Sequence, residues 1–270
     1  METAWKMAIQ YHVANGQPER RKAIARETAY HGATIGALSL TGLTPMKEPF
    51  GTPAIPVRRM SNTNRFRSPY AGDDTALTAF LLRELEEAIL EEGPETVAAI
   101  IAEPQQNAGG CFVPPEGYWT GLREIADRHG ILLIADARKT RRRARVRRPR
   151  QPTRKGHRRM TVDTIASRMR DLMRIPIVGD VRGCGFLWAA EMVRERPDTP
   201  FEPHERAELV GRLIPDRLRA RGIIARADDR GHPVVQIAPP LVSSRAELDE
   251  LVDGLADALE AASSAMLGVA

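Results

Sequence analysis

The sequence predicts an α/β protein: part of a parallel sheet flanked by helices, followed by a smaller α+β unit. Three observations carry that expectation. Val97 to Ala102 reads Val-Ala-Ala-Ile-Ile-Ala, apolar at every position, as a strand covered on both faces must be. Ile131 to Ala135 is a second such run, and Tyr118 to His129 between them reads as a helix closed by Gly130. Strand, helix and strand in that order close through a right-handed crossover, which makes the two strands parallel. The third observation is 161–270, where helical stretches alternate with short apolar runs separated by glycines.

Taken in order, Met1 to Ala14 has apolar residues at Ala4, Met7, Ala8 and Tyr11, a helical spacing, with Gly16 placed as a left-handed cap. No capping residue or strand precedes it, so the expectation is that the parent protein starts upstream. Lys22 to Glu27 reads as a short strand leading to the turn Tyr30-His31-Gly32, and Ala54 to Val57 as another. Asp73 or Asp74 caps an amphipathic helix from about Thr75 to Glu92, closed by Gly93. The strand at Val97 ends in Glu103-Pro104, and Pro114-Pro115 opens a turn before the Tyr118 helix.

Further on, Val162 to Arg174 is helical and Pro176 to Val193 holds strands around Gly179, Gly183 and Gly185. His204 to Ala220 is a helix ending at Gly222. Ile223 to Ala227 and Val234 to Ala238 flank a hairpin-like turn at Asp228-Asp229-Arg230-Gly231. A last helix runs from about Arg245 to Ala262, opened by a capping box of Ser244 with Glu247.

The net charge of +5 suggests a polyanion partner only until its distribution is examined. Residues 137–160 hold eleven Arg, two Lys and no acid; without them the chain carries −8. Cys111 and Cys184 make neither a disulfide framework nor a metal site, and they suit a reducing, cytoplasmic setting. No run approaches the ~20 apolar residues of a membrane span.

Parallel strands place Glu103 and Asp136 at the same carboxyl-end edge of the sheet, where open α/β sheets bind ligands. A carboxylate beside a ring nitrogen keeps it protonated, and an aromatic face such as Tyr30 can stack on such a ring. The blander alternatives stay open on spacing alone. Asp136 would serve as a helix N-cap, Glu103 as a solvated strand end, and His31 as a turn residue bonding backbone.

The order of motifs resembles the class III, or omega-type, pyridoxal-phosphate-dependent aminotransferases. The residues that carry the resemblance are Glu2-Thr3-Ala4-Trp5-Lys6-Met7-Ala8, Tyr30-His31-Gly32-Ala33-Thr34 through Thr41-Gly42, Ile101-Ala102-Glu103-Pro104 through Gly109-Gly110, and Gly130-Ile131 through Asp136. Ile177-Val178-Gly179 through Gly185 and Val234-Val235-Gln236 through Leu241 extend it into the C-terminal part. The resemblance implies a partial fold type I PLP-transferase large domain over 1–136, an Arg-rich disrupted or disordered segment at 137–160, and a C-terminal α+β small domain at 161–270.

It also implies roles. Tyr30 stacks on the ring of pyridoxal 5'-phosphate with His31 beside it, Glu103 lies near the ring hydroxyl, and Asp136 pairs with the ring nitrogen. The reaction implied is amino transfer between an amino acid or amine and a 2-oxo acid, at a site built in a homodimer.

Departures from the family pattern bear on activity. The Gly-Ser/Thr-Glu-Ala phosphate turn belongs just before Glu2, where helix amides would hold the phosphate. The family's Glu-Val and Gly-Phe-Gly-Arg-Thr-Gly text after the aspartate is replaced by Ala137-Arg138-Lys139. The Thr-x-x-Lys-Gly motif, whose lysine bears the cofactor, is missing, so no catalytic residue is assigned.

Thr153-Arg154-Lys155-Gly156 is a superficial substitute only 19 residues past Asp136, and its arginines disfavour the packed site a nucleophilic lysine needs. The expectation is an impaired or inactive aminotransferase, its Arg, Pro and Ala block an out-of-frame passage. The alternative is a non-enzymatic remnant whose polybasic segment binds nucleic acid. The absence of interleaved aromatics in that segment weighs against it.

Overall fold

The computed structural model describes residues 1–51, 54–137, 155–196, 198–230 and 232–268, with the backbone alone over 155–162. The Arg-rich block from 138 to 154 and the Lys155 side chain lie outside the described residues. The chain divides into two compact units, one of Met1–Ala108 with Phe112–Arg138 and the other of Gly109–Cys111 with Lys139–Ala270.

In the first unit, α1 (Glu2–Ala14) precedes β1 (Lys22–Arg26), and two short helices, α2 (Ile35–Leu40) and α3 (Thr44–Lys47), lead to β2 (Val57–Met60). Then come α4 (Asp74–Glu92), β3 (Val97–Ala102), α5 (Tyr118–Arg128) and β4 (Leu132–Ala135). The four strands form one sheet in the order β2-β1-β3-β4, all parallel. Helices α4 and α5 cover one face: Leu77, Leu81, Leu85, Ile89, Leu122 and Ile125 pack on Ile24 and Ile100. Ala8 of α1, with Leu40 and Ile55, packs with Ala23, Ala99 and Ile101. The alternation along β3 explains why all six of its residues are buried.

Local chemistry sets the boundaries. Asp73 caps α4 by accepting the Ala76 N–H at 2.9 Å, and Gly93 closes it at φ +83°. The second strand falls at Val57–Met60, not at the expected Ala54–Val57. Pro56 has no N–H to donate, so it only accepts the Ala23 N–H at 3.1 Å, and the ladder starts one residue later. The strand expected to be buried, β4, is half-buried, and Ala135 is exposed. Among the described residues it is a sheet edge, with a neighbour on one side only.

The second unit opens with α6 (Lys155–Asp171), whose backbone starts inside the span expected to be irregular. Next are β5 (Val178–Cys184), β6 (Leu187–Met192), α7 (Pro203–Glu208), α8 (Ile214–Ala220), β7 (Arg226–Asp229), β8 (Pro233–Ile237) and α9 (Arg245–Leu267). The strands form an antiparallel sheet in the order β5-β6-β8-β7. Its core joins Ile165 and Met169 of α6, Trp188 and Ala190 of β6, and Leu248, Val252, Leu255 and Leu259 of α9.

The single helix expected over His204 to Ala220 is broken by a wide turn at Leu209–Leu213. Pro215 cannot donate to the carbonyl four residues back, and a widened turn ahead of it accommodates that loss. The strand expected to start at Ile223 starts at Arg226, and Ile224 is 96% exposed. The Ser244–Glu247 capping box forms as expected.

Candidate functional site

The site is built where β1, β3 and β4 end. Ala102 is the register partner of Ala135, so Glu103 and Asp136 leave the sheet side by side. After β1 the chain turns through Thr28 at φ +62° and delivers His31 to the same edge. There the His31 Nδ1 lies 3.1 Å from Asp136 Oδ2, with the imidazole fully shielded and the carboxylate 14% exposed. For this contact to be a hydrogen bond in which the carboxylate accepts, Nδ1 must be the donor.

Glu103 is 8% exposed, and its Oε2 accepts the Asn107 N–H at 3.0 Å. Burial pushes its carboxyl above the ordinary carboxylate range; the Asn107 N–H, His31 and Arg26 pull it down, and Asp136 raises it further. The other oxygen of Glu103 and the His31 Nε2 are both buried without a hydrogen-bond partner among the described residues. Buried polar atoms are normally satisfied. Two orphaned atoms at one sheet edge therefore fit a polar ligand that supplies the missing bonds.

The structure thus brings His31, Glu103 and Asp136 together. Tyr30 is a partial exception: adjacent to His31 in sequence, it is 36% exposed, and its side chain makes no hydrogen bond or ring contact among the described residues. Sequence reasoning missed Arg26, which is 1% exposed and whose guanidinium donates to the Glu103 carbonyl. Its signal was an arginine at the end of the apolar strand Ala23-Ile24-Ala25.

The chain has five lysines. Lys6 pairs with Glu2 at 3.5 Å and Lys22 with Glu92 at 2.9 Å. Burial, helped by Arg59, lowers the Lys47 ammonium from its ordinary value. Among the described residues none of these three makes a hydrogen bond or ion pair with His31, Glu103 or Asp136. Lys139 and the side chain of Lys155 lie outside the described residues.

Residues 1–140 match the family model of class-III aminotransferases. The chain belongs to the class-III aminotransferases. A probable aminotransferase of Mycobacterium tuberculosis is 32% identical over 93% of this chain and 68% of its own length. That alignment is 320 positions long against a chain of 270 residues, so part of the relative has no counterpart here. A mitochondrial gamma aminobutyrate transaminase of Solanum lycopersicum is 39% identical over 50% of this chain, but only 26% of its own length is covered.

Among solved structures, an (S)-enantioselective omega-transaminase from Thermomicrobium roseum superposes with a TM-score of 0.84 at 29% identity, over 97% of this chain and 72% of that one. An amine transaminase from an uncultivated Pseudomonas species, solved in a PLP-bound form, gives 0.81 at 27% identity, over 96% and 73%. The mixed α/β architecture with its parallel sheet is therefore that of the fold type I aminotransferases. No helix among the described residues is long and apolar enough to cross a membrane.

Proposed function

We propose that this class-III aminotransferase retains the ring-binding end of a pyridoxal 5'-phosphate site in Tyr30, His31, Glu103 and Asp136, and that it transfers amino groups poorly or not at all. The observation that carries the reading is the shielded His31–Asp136 pair at 3.1 Å, set beside Glu103 at the carboxyl edge of a parallel sheet. The two orphaned buried atoms there support the fit of a polar ring. When bound, pyridoxal phosphate supplies an electron sink for the carbanion left when an amine substrate gives up its α-proton.

The chain's own residues have definite tasks. Asp136 offers a carboxylate to a ring nitrogen and keeps the proton there, and His31 fixes the orientation of that carboxylate through Nδ1. Glu103 offers its free oxygen to a ring hydroxyl, and Tyr30 covers one ring face. Substrates would be an amine or amino acid and a 2-oxo acid. The impaired part of the reading rests on the missing Thr-x-x-Lys-Gly motif; among the described residues Lys6, Lys22 and Lys47 make no hydrogen bond or ion pair with His31 or Asp136.

We read 1–136 as a partial large domain, 137–160 as the disrupted segment and 161–270 as the small domain, in a cytoplasmic protein. The replacement of the family's stretch after Asp136 by Ala137-Arg138-Lys139 weighs against the family's homodimer. The test titrates the full chain with pyridoxal phosphate, reduces it with borohydride and assays transfer between an amine and a 2-oxo acid. Saturable binding with neither a trapped lysine adduct nor turnover supports the proposal. Turnover with an adduct on Lys155, or no binding at all, overturns it.

The second reading, a polybasic nucleic-acid binder, draws on the thirteen basic residues of 137–160. It requires salt-sensitive binding of DNA or RNA that disappears when 137–160 is deleted.

A further inference from the structure

Between β1 and α3 the chain passes twice through one tight crossing. Thr28, at φ +62°, donates its N–H to the Gly42 carbonyl at 3.1 Å, and the Gly42 N–H donates to the Ala29 carbonyl at 2.7 Å. A Cβ on Gly42 would lie 2.5 Å from the Arg26 carbonyl oxygen and 2.7 Å from the Thr28 nitrogen. Both are backbone atoms, so only glycine allows this approach.

One residue earlier, Thr41 is fully buried, and its hydroxyl accepts the His31 N–H at 3.0 Å. The hydroxyl proton is directed at the carbonyls of Gly32 and Ala37, each 3.1 Å away. Residues 28–32 are therefore tied down before, at and after His31. All these ties come from Thr41 and Gly42.

We propose that Thr41 and Gly42 are positioning residues that hold the His31 imidazole against Asp136. Neither residue hydrogen-bonds to Asp136; they act through the backbone on either side of His31. This gives the ring one orientation, with Nδ1–H toward the carboxylate and Nε2 left for a ligand. The functional meaning of the latch rests on the ring-site reading above, but its geometry does not.

The test uses the full, cofactor-free chain labelled with 15N. The Nδ1–H resonance of His31 is identified by its loss in His31→Asn. Thr41→Ser keeps the hydroxyl and retains the resonance. Thr41→Val removes the hydroxyl and loses the resonance or splits it between tautomers. Thr63→Val, at another fully buried threonine, leaves it unchanged and controls for general loosening.

A folded Thr41→Val protein with the wild-type resonance overturns the latch. Should that variant not fold, amide exchange of the parent decides: slow exchange at the His31 N–H supports the bond to Thr41, and exchange at the rate of a free amide overturns it. Pyridoxal phosphate titration separates the two ideas. If the resonance behaves as stated but the parent chain does not bind the cofactor, the latch stands and the ring-site reading fails.

Discussion

The backbone N–H of Asp136 donates to the carbonyl of Ala102 at 2.8 Å. This bond carries the β3–β4 ladder one residue past the end of β4 and sets the Asp136 carboxylate beside Glu103. Under the proposed ring-site reading, Asp136→Asn preserves the shape but removes the charge offered to a protonated ring nitrogen. Its expected outcome is pyridoxal phosphate affinity reduced by about tenfold, equivalent to ~1.4 kcal/mol, with little change in thermal midpoint. Equal affinity in a fluorescence titration would count against the assigned role.

Glu103 gives a pH signature. Burial raises its folded-state pKa above the ordinary value, so its contribution to stability is full at acid pH and is lost as pH rises through the folded value. Glu103→Gln removes that titration and keeps an acceptor for the Asn107 N–H. Relative to the parent, the variant should therefore gain stability from about pH 4 towards neutrality. Urea unfolding at a series of pH values measures the difference; a constant offset contradicts the sign.

In the second unit, the guanidinium of Arg182 lies 2.7 Å from the fully buried Glu191 and 2.6 Å from Asp180. It also donates to the carbonyls of Gly109 and Gly110. Removing one member of a buried pair strands the other charge. Glu191→Gln is expected to cost about 3 kcal/mol, read as a drop in the urea midpoint.

Gly183 sits opposite Trp188 in the β5–β6 ladder, and a Cβ there would lie 2.5 Å from the Leu187 carbonyl and 2.7 Å from the Trp188 Cα. Those are backbone atoms of a central strand, so the hairpin must distort. Gly183→Ala should lower stability by about 1–3 kcal/mol, with a change in Trp188 fluorescence accompanying it.

Asp257 is held at about 2 by hydrogen bonds from Arg217 and Arg221, at 2.6 and 2.9 Å. A depressed carboxyl stabilises above its unfolded pKa, and that contribution disappears as pH falls through the folded value. Asp257→Asn should cost about 1 kcal/mol at neutral pH, with the difference fading towards pH 2. Thermal melts across that range, at low salt, provide the check.

Much of the first unit was legible because its strands are apolar on both faces. Val97–Ala102 is legible to the residue, the cap of α4 is legible as Asp73 or Asp74 and falls on Asp73, and the Ser244–Glu247 box follows from local chemistry alone. Strand β2 was misplaced because its own residues, Val57-Arg58-Arg59-Met60, carry two arginines. Arg58 turns out to Glu91, and Arg59 donates to the carbonyls of Ser39, Leu40 and Thr41. An edge strand can spend such side chains on caps and surface pairs, and a periodicity count does not see that.

The meeting of Glu103 and Asp136 was legible, since parallel strands must bring them to one edge. The geometry of the site was not. The bond from His31 to Asp136 and the buried Arg26 beneath Glu103 depend on segments far apart in sequence, and the Thr41–Gly42 crossing closes a local loop through backbone bonds that residue types do not announce. No local pattern encodes the two long-range meetings.

That separation has a kinetic consequence. His31 and Asp136 are 105 residues apart, and β1, β3 and β4 must all be in place before they meet. Long-range parallel pairings of this kind form late, because the entropy of closing large loops is lost before the contacts reward it. The histidine–aspartate pair is thus a built-in marker of refolding: its resonance should emerge only after the sheet is complete, well behind the helical signal of α4 and α5.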